Sequence, residues 1–156
     1  MRRILGLCAI GAAIVGVSAA QAAVETNETF TESISEFVPC LNGGAGETLS
    51  GDLRLHGLVT STVNGNRVSG KFHFQPQGGG LVGETTGILY HATGVTQGTF
   101  SGSIVNGQYS ESFVNNFRMI GSGPGNKYLE HEVFHITINA RGETTVELDH
   151  LSIECK

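Results

Sequence analysis

Basic residues are scarce in this chain. Nine lysines and arginines stand against fourteen aspartates and glutamates, a formal net charge of −5 at pH 7. No basic patch or stripe is there to neutralise phosphates, which argues against nucleic-acid binding. No basic amphipathic helix is present either, so adsorption to a membrane surface is not expected. The longest apolar run, Ile4 to Val17, falls short of the roughly 20 residues that a spanning helix requires. The glycine-rich stretches at 78–80 and 121–125 lack the lysine and the following helix of a phosphate cradle. No serine stands in a nucleophile elbow. Helical periodicity is missing throughout the chain after the first two dozen residues.

What is present at the start reads as a targeting segment. Arg2 and Arg3 precede the apolar run, and Ala20-Gln21-Ala22 fits the small-x-small cleavage rule. Residues 1–22 are therefore read as a signal peptide and 23–156 as a single domain, with no membrane span after cleavage. Cys8 leaves with the leader. Loss of the two arginines brings the net charge to −7. The expected location is secreted or periplasmic, in a bacterium. Cys40 and Cys155 then remain, and in an oxidising compartment they are expected to pair. A disulfide closing so long a loop is worth about 4–5 kcal/mol as an upper estimate. The alternative is two unpaired buried thiols.

The mature chain alternates with period two. Leu49, Gly51, Leu53, Leu55, Gly57, Val59 and Val63 share one parity, and Asp52, Arg54, His56, Thr60 and Thr62 the other. That is a half-buried strand. Strands are expected at 26–38, 48–63, 66–75, 84–96, 98–105, 108–120, 127–139 and 143–154. The fold class is all-β. An antiparallel up-and-down barrel of about eight strands fits best because closure removes exposed edges; a two-sheet sandwich is the alternative. A two-residue turn at Asn64-Gly65 pairs Val63 with Asn66 and opposes His56 to His73. A second at Asn106-Gly107 opposes Phe100 to Phe113. A three-residue loop at Ala140-Arg141-Gly142 opposes Phe134 to Leu148 and His135 to Glu147, with a bulge expected near Asp149-His150.

His131-Glu132-Val133-Phe134-His135 spells the H-E-x-x-H of zinc metalloproteases, which requires a helix to bring both histidines to one metal. The residues that follow are Ile136-Thr137-Ile138, and the alternation is that of a strand. In a strand the histidines lie about 13 Å apart on one face, with Glu132 on the other. The protease reading is therefore disfavoured. His56 and His73 are weak metal candidates, since no third ligand is identifiable, and no cofactor is expected. Acids on apolar faces are the better candidates. Glu111 lies between Tyr109 and Phe113, Asn115 shares that face, and Glu130 and Glu132 share the face of Tyr128, Phe134 and Ile136. In a barrel all six polar groups (Tyr109, Glu111, Asn115, Tyr128, Glu130, Glu132) point into the lumen. There they either orient a ligand or are simply solvated at a wet mouth.

Several pieces together resemble a group of small secreted bacterial proteins of unknown function. They are Phe37-Val38-Pro39-Cys40, the Gly-Gly-x-Gly-Glu at 43–47, Phe74-Gln75-Pro76-Gln77-Gly78, and Ala92-Thr93-Gly94-Val95-Thr96-Gln97. Gly123-Pro124-Gly125-Asn126, the stretch from His131 to Glu143, and the terminal Glu154-Cys155 complete the set. The resemblance implies export and an all-β domain, and transfers no catalytic residue. The leading expectation is a non-enzymatic secreted β-barrel that binds a small, partly apolar ligand or an extracellular component. The alternatives are a small-molecule cyclase, isomerase or hydrolase using lumen carboxylates, and a structural or cell-surface interaction module. The oligomeric state is not fixed by the sequence.

Overall fold

The computed structural model describes residues 22–156. The signal-peptide reading therefore lies, apart from Ala22 itself, outside the described residues. Period-two alternation produces seven strands: β1 Ala22–Val38, β2 Glu47–Asn64, β3 Arg67–Gly83, β4 Leu89–Ser103, β5 Tyr109–Gly121, β6 Lys127–Ile138 and β7 Thr144–Cys155. They form one antiparallel sheet in sequence order. The all-β class holds, and a single sheet replaces the two-sheet alternative. The expected count of eight is corrected to seven. The strands expected at 84–96 and 98–105 merge into one, β4, because the chain runs straight through Gln97-Gly98. A Cβ on Gly98 would stand 2.5 Å from the Phe72 ring and 2.4 Å from the Ser112 carbonyl oxygen, so glycine there lets an aromatic side chain lie over the neighbouring strand. Residues 78–83, expected to be a loop, instead continue β3 beyond a register shift near Arg54/Leu55.

The three hairpins correct the expected registers. At the first, Asn64 pairs with Arg67 and Val63 with Val68. The loop is Gly65-Asn66, with positive φ (57°) at Gly65, the first-position glycine that type II′ turns favour. His56 consequently faces Gln75, and His73 faces Leu58. At the second, a longer loop opposes Tyr109 to Gly102, Phe100 to Glu111 and Phe113 to Gly98. The Ser103 hydroxyl accepts from the amides of Val105 and Asn106 and holds that loop open. At the third, the three-residue loop forms, with the Asn139 amide donating to the Glu143 carbonyl at 2.9 Å. The bulge sits at Thr137/Ile138 rather than near Asp149, so Leu148 faces His135 and Glu147 faces Ile136.

The core is gathered at one end of the sheet. Val38, Leu41, Leu49, Leu53, Leu81, Tyr90, Met119 and Tyr128 are buried; Leu41 comes from the β1–β2 connection and the others from strands that meet there. The Cys40–Cys155 disulfide staples the same end, with Cα atoms 5.9 Å apart. At the hairpin-tip end the inner face carries half-buried phenylalanines instead. Phe72 stacks on Phe74 at 5.2 Å and Phe113 on Phe134 at 4.9 Å. Six successive antiparallel pairings leave β1 and β7 parallel to each other. Among the described residues no ladder joins them. The sheet curls but does not close.

Candidate functional site

The inner face of this curled sheet holds a small cavity of about 150 Å³. Ile34, Leu53, Leu81, Phe117 and Met119 supply its apolar walls, and Glu36, Asn115, Tyr128 and Glu130 its polar ones. Each is placed by parity. Phe117 opposes Glu130 and Met119 opposes Tyr128 across β5 and β6, while Glu36 opposes Leu49 across β1 and β2. That residues of β1 and β6 line one cavity is the direct mark of the sheet's curvature.

The polar groups form a chain. The Thr96 hydroxyl donates to Asn115 Oδ1 at 2.8 Å. Asn115 Nδ2 donates to Glu130 Oε1 at 2.6 Å. Asn115 is 6% exposed and Tyr128 2% exposed, so both must be hydrogen-bonded to be tolerated. Burial is the first cause that raises the Tyr128 phenol above its ordinary value. The charges of Glu36 and Glu130 and a hydrogen bond to Glu36 add to it. Near the open end the Tyr109 hydroxyl donates to Glu111, and its phenol is also raised, by burial first and then by Glu111. Burial and the nearby Glu47 raise Tyr90.

These three are all the tyrosines of the chain, which gives a pH prediction. Their folded values lie above the ordinary phenol value of about 10, which the unfolded chain keeps. The folded state therefore binds more protons once the pH passes 10, and stability falls as pH rises from there. Alkaline titration should show phenolate absorbance appearing with loss of the folded circular dichroism signal. Phenolate growing in near pH 10 while the fold stays intact would contradict this.

Of the six inner-face candidates, the structure brings Asn115, Tyr128 and Glu130 together at the cavity. Tyr109 and Glu111 form a separate pair. Glu132 lies on the same face, opposite Asn115 and Leu151, but does not line the cavity. Glu36 and Thr96 were missed by the sequence reading. A signal for Glu36 existed, because Phe30, Ile34, Glu36 and Val38 share one parity.

The H-E-x-x-H segment lies within β6. His131 and His135 occupy the outer face, where His131 Nδ1 is 2.7 Å from Asn116 Oδ1 and His135 Nδ1 is 2.5 Å from Ser112 Oγ. The expected opposition of His56 and His73 is undone by the shifted turn, and His56 Nε2 instead lies 2.7 Å from Asn27 Oδ1. Among the described residues no group of three His, Cys, Asp or Glu is arranged to hold a metal ion. A larger groove of about 470 Å³ crosses the outer face. Hydroxyls such as Thr60, Thr62, Ser101 and Ser112 line it. It is shallow and open, without the buried convergent groups that fix a ligand. No family model, curated protein or solved structure matches this chain.

Proposed function

We propose that this is an exported, non-enzymatic binding protein that holds a small, partly apolar ligand in the inner cavity. The observation that carries the reading is the cavity's lining: five apolar side chains on its walls and four polar ones, two of them carboxylates. Its volume sets the ligand's size. Sites for drug-sized molecules run to roughly 300–1,000 Å³. A cavity of this size takes about six heavy atoms. Its chemistry sets the ligand's polar end. The Asn115 amide already donates to Glu130 and accepts from Thr96. The carboxyl oxygens of Glu36 and Glu130 put acceptors on the cavity wall, which suits a ligand head that carries donors, as an amine or hydroxyl does. The disulfide, together with the lack of any helix long and apolar enough to cross a membrane among the described residues, supports an extracellular or periplasmic setting.

The test is a thermal-shift screen of small aromatic and aliphatic fragments, with and without an amino or hydroxyl group. Donor-bearing fragments should raise the melting temperature of the wild type. They should do so at least tenfold less potently in Glu130→Gln and Asn115→Leu. A wild type that no fragment stabilises, or one that does not distinguish the two fragment classes, would sink the reading.

One observation favours a second reading. Glu36 and Glu130 line the same cavity and both act on Tyr128, and a carboxylate pair around one small molecule also suits general acid–base chemistry. Native mass spectrometry separates the two. A binder returns its ligand unchanged, whereas an enzyme returns a product of altered mass.

A further inference from the structure

We infer that the gap between β1 and β7 is a docking slot for an extended, basic segment of a partner protein, added to the sheet as an eighth strand. The two edges run parallel, so closing the sheet directly would require a parallel ladder at the seam of an otherwise antiparallel meander. One strand antiparallel to both would complete an eight-stranded up-and-down barrel. The disulfide holds the edges too close for an extra strand at one end, because two inter-strand spacings amount to about 9.6 Å and the cystine Cα atoms are 5.9 Å apart. Away from the staple the edges are bare. Thr144 to His150 of β7 are all exposed, as are Glu25 to Thr29 of β1. An unpaired edge offers a row of backbone donors and acceptors.

The side chains say which strand fits. β1 carries four glutamates and no lysine or arginine, and β7 carries three acids and likewise no lysine or arginine. On the inner face Glu28 and Glu32 of β1 flank one side of the slot, with Glu147 and Asp149 of β7 on the other. Like charges on facing edges repel a second copy of this chain. A lysine or arginine at alternate positions of an incoming strand would instead stand about 5 Å from acids on both sides. The outer face asks for different residues. There β7 presents Val146 and Leu148, 47% and 52% exposed, and β1 presents Asn27, Thr29 and Thr31. The fitting strand therefore alternates basic residues with valine or threonine. This surface lies apart from the inner cavity, so either proposal can fail alone.

The test uses the full oxidised chain and a labelled peptide of about eight residues, the span of the exposed half of β7, alternating lysine with valine and threonine. One control replaces valine and threonine by proline, which keeps the charge and prevents the ladder. Another replaces lysine by glutamate. Fluorescence anisotropy should show the first peptide binding at least tenfold more tightly than the proline control, and the glutamate peptide not binding. Hydrogen exchange should show new protection at 25–33 and 144–150. Glu28→Lys combined with Asp149→Lys, both exposed, should weaken binding at least tenfold without moving the melting temperature. Equal binding of the lysine and proline peptides would reduce the effect to charge alone and overturn the proposal. So would no binding, protection elsewhere on the sheet, or self-association that protects the same two edges.

Discussion

Replacing Cys40 and Cys155 by serine is expected to lower the melting temperature by about 10 °C or more. The loop they close spans 115 residues in sequence. Chain entropy alone assigns such a loop about 4.8 kcal/mol, an upper estimate. For a domain of this size each kcal/mol moves the midpoint by about 3–4 °C. The native state adds its own reason. Among the described residues β1 and β7 share no ladder, and the cystine ties the sheet's edges together covalently. Both half-cystines also pack on the core, beside Leu41 at one side and opposite Tyr128 at the other. Losing the tie would let β1 peel from the end where Val38, Leu49 and Tyr128 are buried together. Calorimetry of the oxidised wild type, the reduced wild type and the double serine variant checks it. A shift below about 3 °C in both reduced forms would mean that the six ladders hold the curl without the staple.

Parity carried most of what the sequence revealed. The first two hairpins each slipped by two residues from the expected register, yet no side chain changed face. Strand side chains alternate with a period of two, so an even slip preserves the face while changing every partner. That is why Asn115, Tyr128 and Glu130 were found on the inner face although Gly57 faces Phe74 rather than Phe72. The one odd slip, at the Thr137/Ile138 bulge, put Leu148 opposite His135 and left Val146 and Leu148 on the outer face. A bulge depends on local backbone geometry that hydrophobic patterning does not encode. The H-E-x-x-H segment was resolved for the same reason that the faces were: its neighbours alternate. What no local pattern could reveal is which strands curve toward each other. Glu36 and Tyr128 are 92 positions apart, and only closure of the curl brings them to one cavity. The missing eighth strand follows the same logic. The break expected between 96 and 98 does not form, because Gly98 leaves room for the ring of Phe72 from the preceding strand, β3.

Glu47→Ala is expected to destabilise the fold by about 3 kcal/mol, the second-largest effect here. Glu47 opens β2, is 1% exposed, and enters the sequence reading only as the end of the Gly-Gly-x-Gly-Glu piece. Its carboxyl group accepts from the Thr86 amide at 2.7 Å, the Thr85 amide at 3.2 Å and the Thr86 hydroxyl at 3.0 Å. It thereby holds the loop between β3 and β4 against the buried ring of Tyr90. Space is tight, since a Cβ on Gly83 would stand 2.5 Å from that carboxyl group. Truncation strands two amide donors, each costing about 1–3 kcal/mol if water does not replace the acceptor, and leaves a void over Tyr90. Glu47→Gln keeps one acceptor oxygen and should cost about half as much. The opposing view is that the loop's own backbone suffices. Gly83 donates to Ile88 at 2.9 Å, Glu84 to Thr48 at 2.9 Å and Gly87 to Gly83 at 2.8 Å. Hydrogen exchange decides between them. If the side chain holds the loop, the Thr85 and Thr86 amides should exchange much faster in the alanine variant, and its midpoint should fall by about 10 °C. If the backbone holds it, both amides stay protected and the midpoint moves by only a degree or two.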